Sequence, residues 1–219
     1  EQCDRPGAYA QLLHAADARP PEHGALVART QEEGSRIHNE LVFINQEWLA
    51  ADEADARRVA NDPACARYRH YLTAARRYRG HVLSEPEEKL LEEAANTGRR
   101  AFTRLFDELL SAMRFEVEVD GERREFNESG VLALLHDARR DVRQRAAASL
   151  TGGMRDHALQ LTYIFNVIAQ DHALIDRLRR YAGPMAARNL ANEIDDATVT
   201  ALIEACEANA DIVADYYRI

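Results

Sequence analysis

The stretch from Tyr68 to Met113 constrains this chain more than any other, because it sets two amphipathic helical patterns around a marked joint. The first pattern begins at Asp62-Pro63, an N-cap residue followed by proline at the first helical position. Cys65, Tyr68, Leu72 and Ala75 fall on one side at helical spacing, and Gly80 supplies the stop. The second pattern opens at Ser84 with Glu87 three residues on, the spacing of a capping box. Pro86 sits in its first turn, where no helical hydrogen bond is lost. Leu90, Leu91, Ala94, Ala95, Gly98, Phe102, Leu105, Phe106, Leu109 and Met113 then line one face, which predicts a rod of roughly 43 Å. A helix that long with one apolar face must pack against several others.

The rest of the chain extends this helical reading. Tyr9 to Ala16 is a short amphipathic segment that ends at Arg19-Pro20-Pro21. A long helix is predicted from about Gly24 to Asn61, with a seam of Val27, Thr30, Gly34, Ile37, Leu41, Ile44 and Trp48. That seam fits a helical hairpin or bundle, with Trp48 and Leu49 as its anchor. After Met113 the period drops to two. Phe115, Val117 and Val119 alternate with glutamates, Asp120-Gly121 follows, and a second run reaches Phe126. Asp-Gly between alternating runs is a hairpin signal, and the Phe115–Val119 face is expected to lie on helices. Asn127 caps a short helix to His136, and Asp137 caps the next, with Val142, Ala146 and Leu150 inside. Thr151-Gly152-Gly153 is a candidate break or bend; a long segment from Met154 to Tyr181 follows, ended by Gly183-Pro184. Asp195 caps a last helix with a stripe of Val199, Leu202, Ile203, Cys206, Ala210, Val213 and Tyr217. The fold class is therefore mainly α, a multi-helix bundle or lobe with one small β-hairpin around residues 115–126.

Several of these stretches also carry a resemblance. HYL followed by basic residues, LSEPEEKLL, LFDELL, the hairpin, DARRDVRQRAAASL, RRYAGPMAARNLANEID and VTALIEACEANADIVADYYRI occur in order. The series resembles the oligoendopeptidase F branch of the M3 zinc metallopeptidases, from about Tyr68 to the C-terminus. The seam gives residues 1–62 as an N-terminal helical hairpin, and the resemblance implies that 63–219 is a helical lobe cut before the zinc-binding catalytic region. It implies a parent protein that binds zinc and hydrolyses short peptides in a channel between helical lobes, with oligopeptides and the missing C-terminal catalytic lobe as partners. This chain would form part of the channel wall and be inactive by itself. The alternative is a non-catalytic helical interaction module. The stop at Tyr216-Tyr217-Arg218-Ile219, inside an amphipathic pattern without a C-cap, favours a cut chain, with either fraying from about Ile212 or self-association through the last helix expected. An HExxH in a reading frame continuing past Ile219 would decide between the two.

No catalytic or metal residue can be assigned within the chain. HExxH puts two histidines on one helix face with a glutamate to activate water. None of the eight histidines here, at 14, 23, 38, 70, 81, 136, 157 and 172, is followed by glutamate. His38-Asn39-Glu40 has a deaminase-like shape, but Pro63-Ala64-Cys65 lacks the required partner spacing. Asp156-His157 and Asp171-His172 would lie more than about 20 Å apart on one straight helix. Arg188, Asn189 and Asn192 are candidates for contact with a peptide backbone, and their structural reading is capping of the flanking helix ends.

Charge and cysteine usage set the outer limits. The net charge of −9 argues against nucleic acid as a partner. Arg67, Arg69, Arg76, Arg77 and Arg79, interleaved with Tyr68, Tyr71 and Tyr78, read as a solvated face bridging to the acidic turn at 85–93. No run approaches the roughly 20 apolar residues of a membrane span. Cys3, Cys65 and Cys206 are scattered, which with no visible signal peptide predicts a cytoplasmic protein, although the chain starts at Glu1 without methionine.

Overall fold

The computed structural model describes residues 4–218, so Cys3 and Ile219 lie outside the described residues. The chain divides into two compact units. One is built from the segment up to Val42 and from Glu85–His172, the other from Phe43–Ser84 and Ala173 onward. Among the described residues the elements are helical except for one antiparallel hairpin, as the period analysis predicts. No described helix is long and apolar enough to cross a membrane.

The first unit has its core at the hairpin. β1 (Phe115–Val119) and β2 (Glu122–Phe126) pair with Phe115 opposite Phe126 and Val119 opposite Glu122. Asp120 and Gly121 both have positive φ, 56° and 78°, which is the turn that Asp-Gly accommodates. Phe115, Val117 and Val119 are buried with Met113, Val131, Val142 and Ala146. The last three come from α7 (Glu128–Leu134) and α8 (Arg140–Asp156). Asn127 caps α7, its Oδ1 accepting the Gly130 N–H at 2.9 Å. Asp137 does not cap α8, contrary to expectation. Its carboxylate accepts the Arg139 N–H at 2.8 Å in a local turn, and Arg139 takes the N-cap position of the helix that starts at Arg140. Nor does α8 break at Gly152-Gly153. A Cβ on Gly153 would stand 2.6 Å from the Phe115 ring, so this glycine admits the ring against an uninterrupted helix. The interruption comes at His157, and α9 (Ala158–Leu178) follows.

The predicted rod over 84–113 is two helices, α5 (Glu85–Thr97) and α6 (Arg99–Ala112), divided at Gly98. The apolar pattern runs through Gly98 without a change of phase, which is why periodicity alone overlooked the break. In this unit α5 and α6 meet the N-terminal part of α2 (Pro21–Ala50) through a polar cluster. The buried Ser35 hydroxyl donates to Glu92 at 2.8 Å, and Arg100 grips the same carboxylate at 2.7 and 2.9 Å. Asn96 completes the set, accepting from Arg100 and donating to Ser35. Burial raises the Glu92 carboxyl, but the Ser35 hydrogen bond and Arg100 outweigh it and hold it below its ordinary value.

This cluster explains why the predicted α2 seam is displaced. Val27 is buried as expected, but Ile37, Leu41 and Ile44 are exposed, while Gly24, Ser35, Val42 and Leu49 are buried. A polar residue satisfied by Glu92 and Arg100 can be buried, so an apolar count places the stripe about one residue out of phase. The helix also ends at Ala50 rather than Asn61. Asp52 accepts the Asp55 N–H at 2.8 Å and starts α3 (Glu53–Asn61) as a separate helix.

In the second unit, Asp62 caps as predicted, accepting the Ala64 N–H at 2.8 Å, but no single helix follows. A 3-10 turn (Pro63–Tyr68), α4 (Arg69–Ala75) and a second 3-10 turn (Arg76–His81) replace it. Tertiary bonds override the local pattern here. Trp48 donates its indole N–H to the Leu72 carbonyl at 3.0 Å. Arg76, with 13 % of its side chain exposed, donates to the carbonyls of Trp48 and Ala51 and to Glu53. It thus occupies the orphan acceptors at the end of α2 and stands over the Trp48 ring, 5.5 Å from its centroid. The unit ends with α10 (Ala186–Ala191), α11 (Asp196–Ala208) and α12 (Ala210–Arg218). Asp195 caps α11 through the Thr198 N–H at 2.7 Å. The predicted single last helix is interrupted at Asn209, whose amide donates to the Ala205 carbonyl at 2.7 Å.

Candidate functional site

Two distant sequence stretches come together within the second unit. The first is the basic, aromatic segment around His70-Tyr71-Leu72; the second is the joint from Tyr181 to Asp195. Glu193, at positive φ just beyond α10, receives His70 at 2.8 Å and Arg77 at 3.2 Å. His81 lies flat on the Tyr181 ring, with centroids 4.0 Å apart. Its Nδ1 meets the Arg179 carbonyl at 2.8 Å, and the Arg179 guanidinium donates back to the His81 carbonyl. Within this unit three arginines of the segment find other partners. Arg76 takes Glu53, Arg77 takes Glu193, and Arg69 donates to the Ala60 carbonyl. What sequence reading missed is that His70 and Arg77 share one carboxylate far along the chain. The signal was three charged residues without i,i+4 partners of opposite sign, which is too common to single them out.

The three candidate residues occupy the same joint. Asn189 is buried, and its amide donates to Asp196 at 2.8 Å, tying α10 to the first turn of α11. Asn192 ends α10, its N–H bonded to the Arg188 carbonyl at 2.9 Å. Arg188 and Asn192 are exposed. Tyr68 and Tyr71, on the opposing segment of this unit, also present their rings to the surface. The arrangement can offer hydrogen-bond donors and aromatic faces to an extended chain.

Metal binding is a separate question of donors. Among the described residues no group of three His, Cys, Asp or Glu side chains stands where it could hold an ion. His157 points its Nδ1 at the Gly153 carbonyl at 3.0 Å, and His81 and His70 are engaged as described. The described residues do not fit a catalytic zinc.

In the first unit, a cleft of about 720 Å³ lies among α1 (Asp4–Ala16), α6 and the start of α7. His14, Asp107, Arg114 and Glu128 line it. Burial, seconded by Glu108, raises the Asp107 carboxyl despite a lowering contribution from His14. Asp17 at its rim is held down at about 2 by hydrogen bonds from Arg19.

Comparison with known proteins bears on both units. Residues 47–115 match the N-terminal M3 peptidase family described as Oligopeptidase F. An "Oligoendopeptidase F homolog" of Borreliella burgdorferi is 22 % identical over 223 aligned positions, which take in all of this chain and 36 % of that protein. Oligoendopeptidase-F from Enterococcus faecium has a similar fold, with a TM-score of 0.89 at 22 % identity over 98 % of this chain and 43 % of that one. A putative peptidase from Chlamydophila abortus gives 0.68 at 18 % identity over 97 % of this chain and 36 % of its own. The chain thus spans well under half the length of each of these relatives.

Proposed function

We propose that this chain, an oligoendopeptidase F-like N-terminal region of the M3 peptidases, forms one wall of the substrate channel of a zinc-dependent peptidase that hydrolyses short peptides. The observation that carries the reading is the match of residues 47–115 to Oligopeptidase F. The His70–Glu193 and Arg77–Glu193 contacts support it, because they join two of the stretches that carry the resemblance into one surface. In this reading the wall restricts entry to extended oligopeptides, and Arg188 and Asn192 meet the peptide backbone. Asn189 acts indirectly, by holding the α10–α11 turn through Asp196. The division at residue 62 between an N-terminal helical hairpin and the lobe, and a cytoplasmic location, belong to the same proposal.

Zinc belongs to the full-length M3 peptidases by homology, so its ligands are expected in a part of the longer protein outside these residues. When bound, it would polarise the scissile carbonyl and activate water there. This chain's own contribution is exclusion and orientation, which lower the entropic cost of reaching a reactive geometry. The test compares two proteins on a quenched-fluorescent peptide, the 219-residue chain and a longer one carrying the zinc motif. The short chain is expected to be inactive, and the longer one active and blocked by a chelator. Chelator-sensitive turnover by the short chain, or none by a folded longer protein with an intact motif, would contradict the assignment.

A further inference from the structure

Two helix ends in the second unit, those of α9 and α10, share one backbone device. The Tyr181 N–H returns to the Asp176 carbonyl at 2.9 Å, and the Arg180 N–H to the Arg177 carbonyl at 3.3 Å. The Ile194 N–H returns to the Asn189 carbonyl at 3.1 Å, and the Glu193 N–H to the Leu190 carbonyl at 3.2 Å. Each pair makes a Schellman motif, whose reversing residue is left-handed and most often glycine. Here that residue is Arg180, at a φ of 60°, and Glu193, at 57°. Neither is asparagine or aspartate, which accept this region best after glycine, so both helix ends carry backbone strain. Such strain persists where the surrounding structure enforces it, and an observed outlier points to a use.

The two positions differ in what the side chain does. Arg180 is exposed and has no side-chain partner among the described residues. Glu193 Oε1 meets His70 Nε2 at 2.8 Å, and Glu193 Oε2 meets Arg77 at 3.2 Å. A His70 ring with its hydrogen on Nε2 donates here whether neutral or protonated, so the contact does not depend on charge at the ring. On the other side of the same turn, Asn189 donates its amide to Asp196 and its carbonyl accepts the Ile194 N–H. Arg188 and Asn192 belong to the turn held by these two fastenings, and the Asn192 N–H is bonded to the Arg188 carbonyl.

We infer that Glu193 is a positioning residue: it latches the α10–α11 joint to the 70–77 segment and so fixes Arg188 and Asn192 where they meet a peptide. The peptide contact rests on the channel-wall reading; the latch does not. The choice of glutamate has a physical reason. Glycine or asparagine would ease the backbone, but asparagine is one methylene shorter and glycine has no side chain to reach His70 and Arg77. Arg180 is the built-in control, with the same motif and a charged side chain that holds nothing.

Hydrogen–deuterium exchange over residues 186–198 of this chain tests the latch. Glu193→Asn suits the backbone better but shortens the arm, and it should speed exchange there roughly threefold or more. Arg180→Asn, the same change at the matching position, should leave that stretch as it is. In a His70→Ala/Arg77→Ala background, Glu193→Asn should no longer speed exchange. Glu193→Gln, which keeps the length and an acceptor, should fall between. In a longer protein carrying the zinc motif, Glu193→Asn should raise KM about threefold or more with kcat within about twofold, and Glu193→Gln should recover part of the loss. Unchanged exchange in Glu193→Asn would overturn the latch, as would equal acceleration in Arg180→Asn or in the double-alanine background. A loosened joint with an unchanged KM would overturn the positioning role. A folded longer protein without peptidase activity would instead refute the channel-wall reading, while the exchange result still decides the latch.

Discussion

The hairpin core and the last two helices have equally clear apolar patterns and opposite fates. On β1, every second side chain disappears: Phe115 is 1 % exposed, and Val117 and Val119 follow it. On α11 and α12, Leu202, Ile203, Ile212, Val213 and Tyr216 stay exposed, and Tyr217 is 81 % exposed. Periodicity states which face of an element is to be buried, but not what buries it. The hairpin finds its partners in α7 and α8, within the next few turns of the chain. The α11–α12 face finds none of comparable extent among the described residues. In the proposed reading, the partner of these exposed side chains is the catalytic part of the longer protein.

Substitutions sharpen the contrast. The largest effect should come from Phe115→Ala, which empties the centre of the core beside Gly153; a loss of about 3–5 kcal/mol is expected in denaturant unfolding. A loss below about 1 kcal/mol would mean that this core is looser than its burial suggests. Gly121→Val should cost about 1 kcal/mol or more, because a β-branched residue is strained at a φ of 78°. An unchanged melting temperature would show that the turn adapts. The smallest effect belongs to the other region. Val213→Ser should stay within roughly 0.5 kcal/mol in the chain alone, as surface changes do. A large loss there would place Val213 in a core and break the comparison.

Sequence reading succeeded where local chemistry decides the outcome. The Asp-Gly turn, the alternation on β1, the Asn127 and Asp195 caps and the helical class are all present in the structure. It erred where a distant group settles a local choice. The α2 stripe is out of phase because Glu92 and Arg100 make Ser35 a buried residue. The 63–80 helix is broken into shorter turns where Trp48 and Arg76 make bonds that no local pattern announces. Gly153 looked like a breaker, because the ring that requires a glycine there comes from a strand almost forty positions earlier. The surface built on Glu193 was illegible for the same reason: its partners are more than a hundred residues away in the chain.

The measurement that bears most directly on the account is amide exchange over residues 199–218, in this chain alone and within a longer protein carrying the proposed catalytic part. Covering several apolar side chains there is worth roughly 1.5–3 kcal/mol each. The account predicts fast exchange in the isolated chain and strong protection in the longer protein, with the hairpin at 115–126 equally protected in both. Equal exchange of 199–218 in the two proteins would contradict it, because this face would then have no partner in the proposed catalytic part.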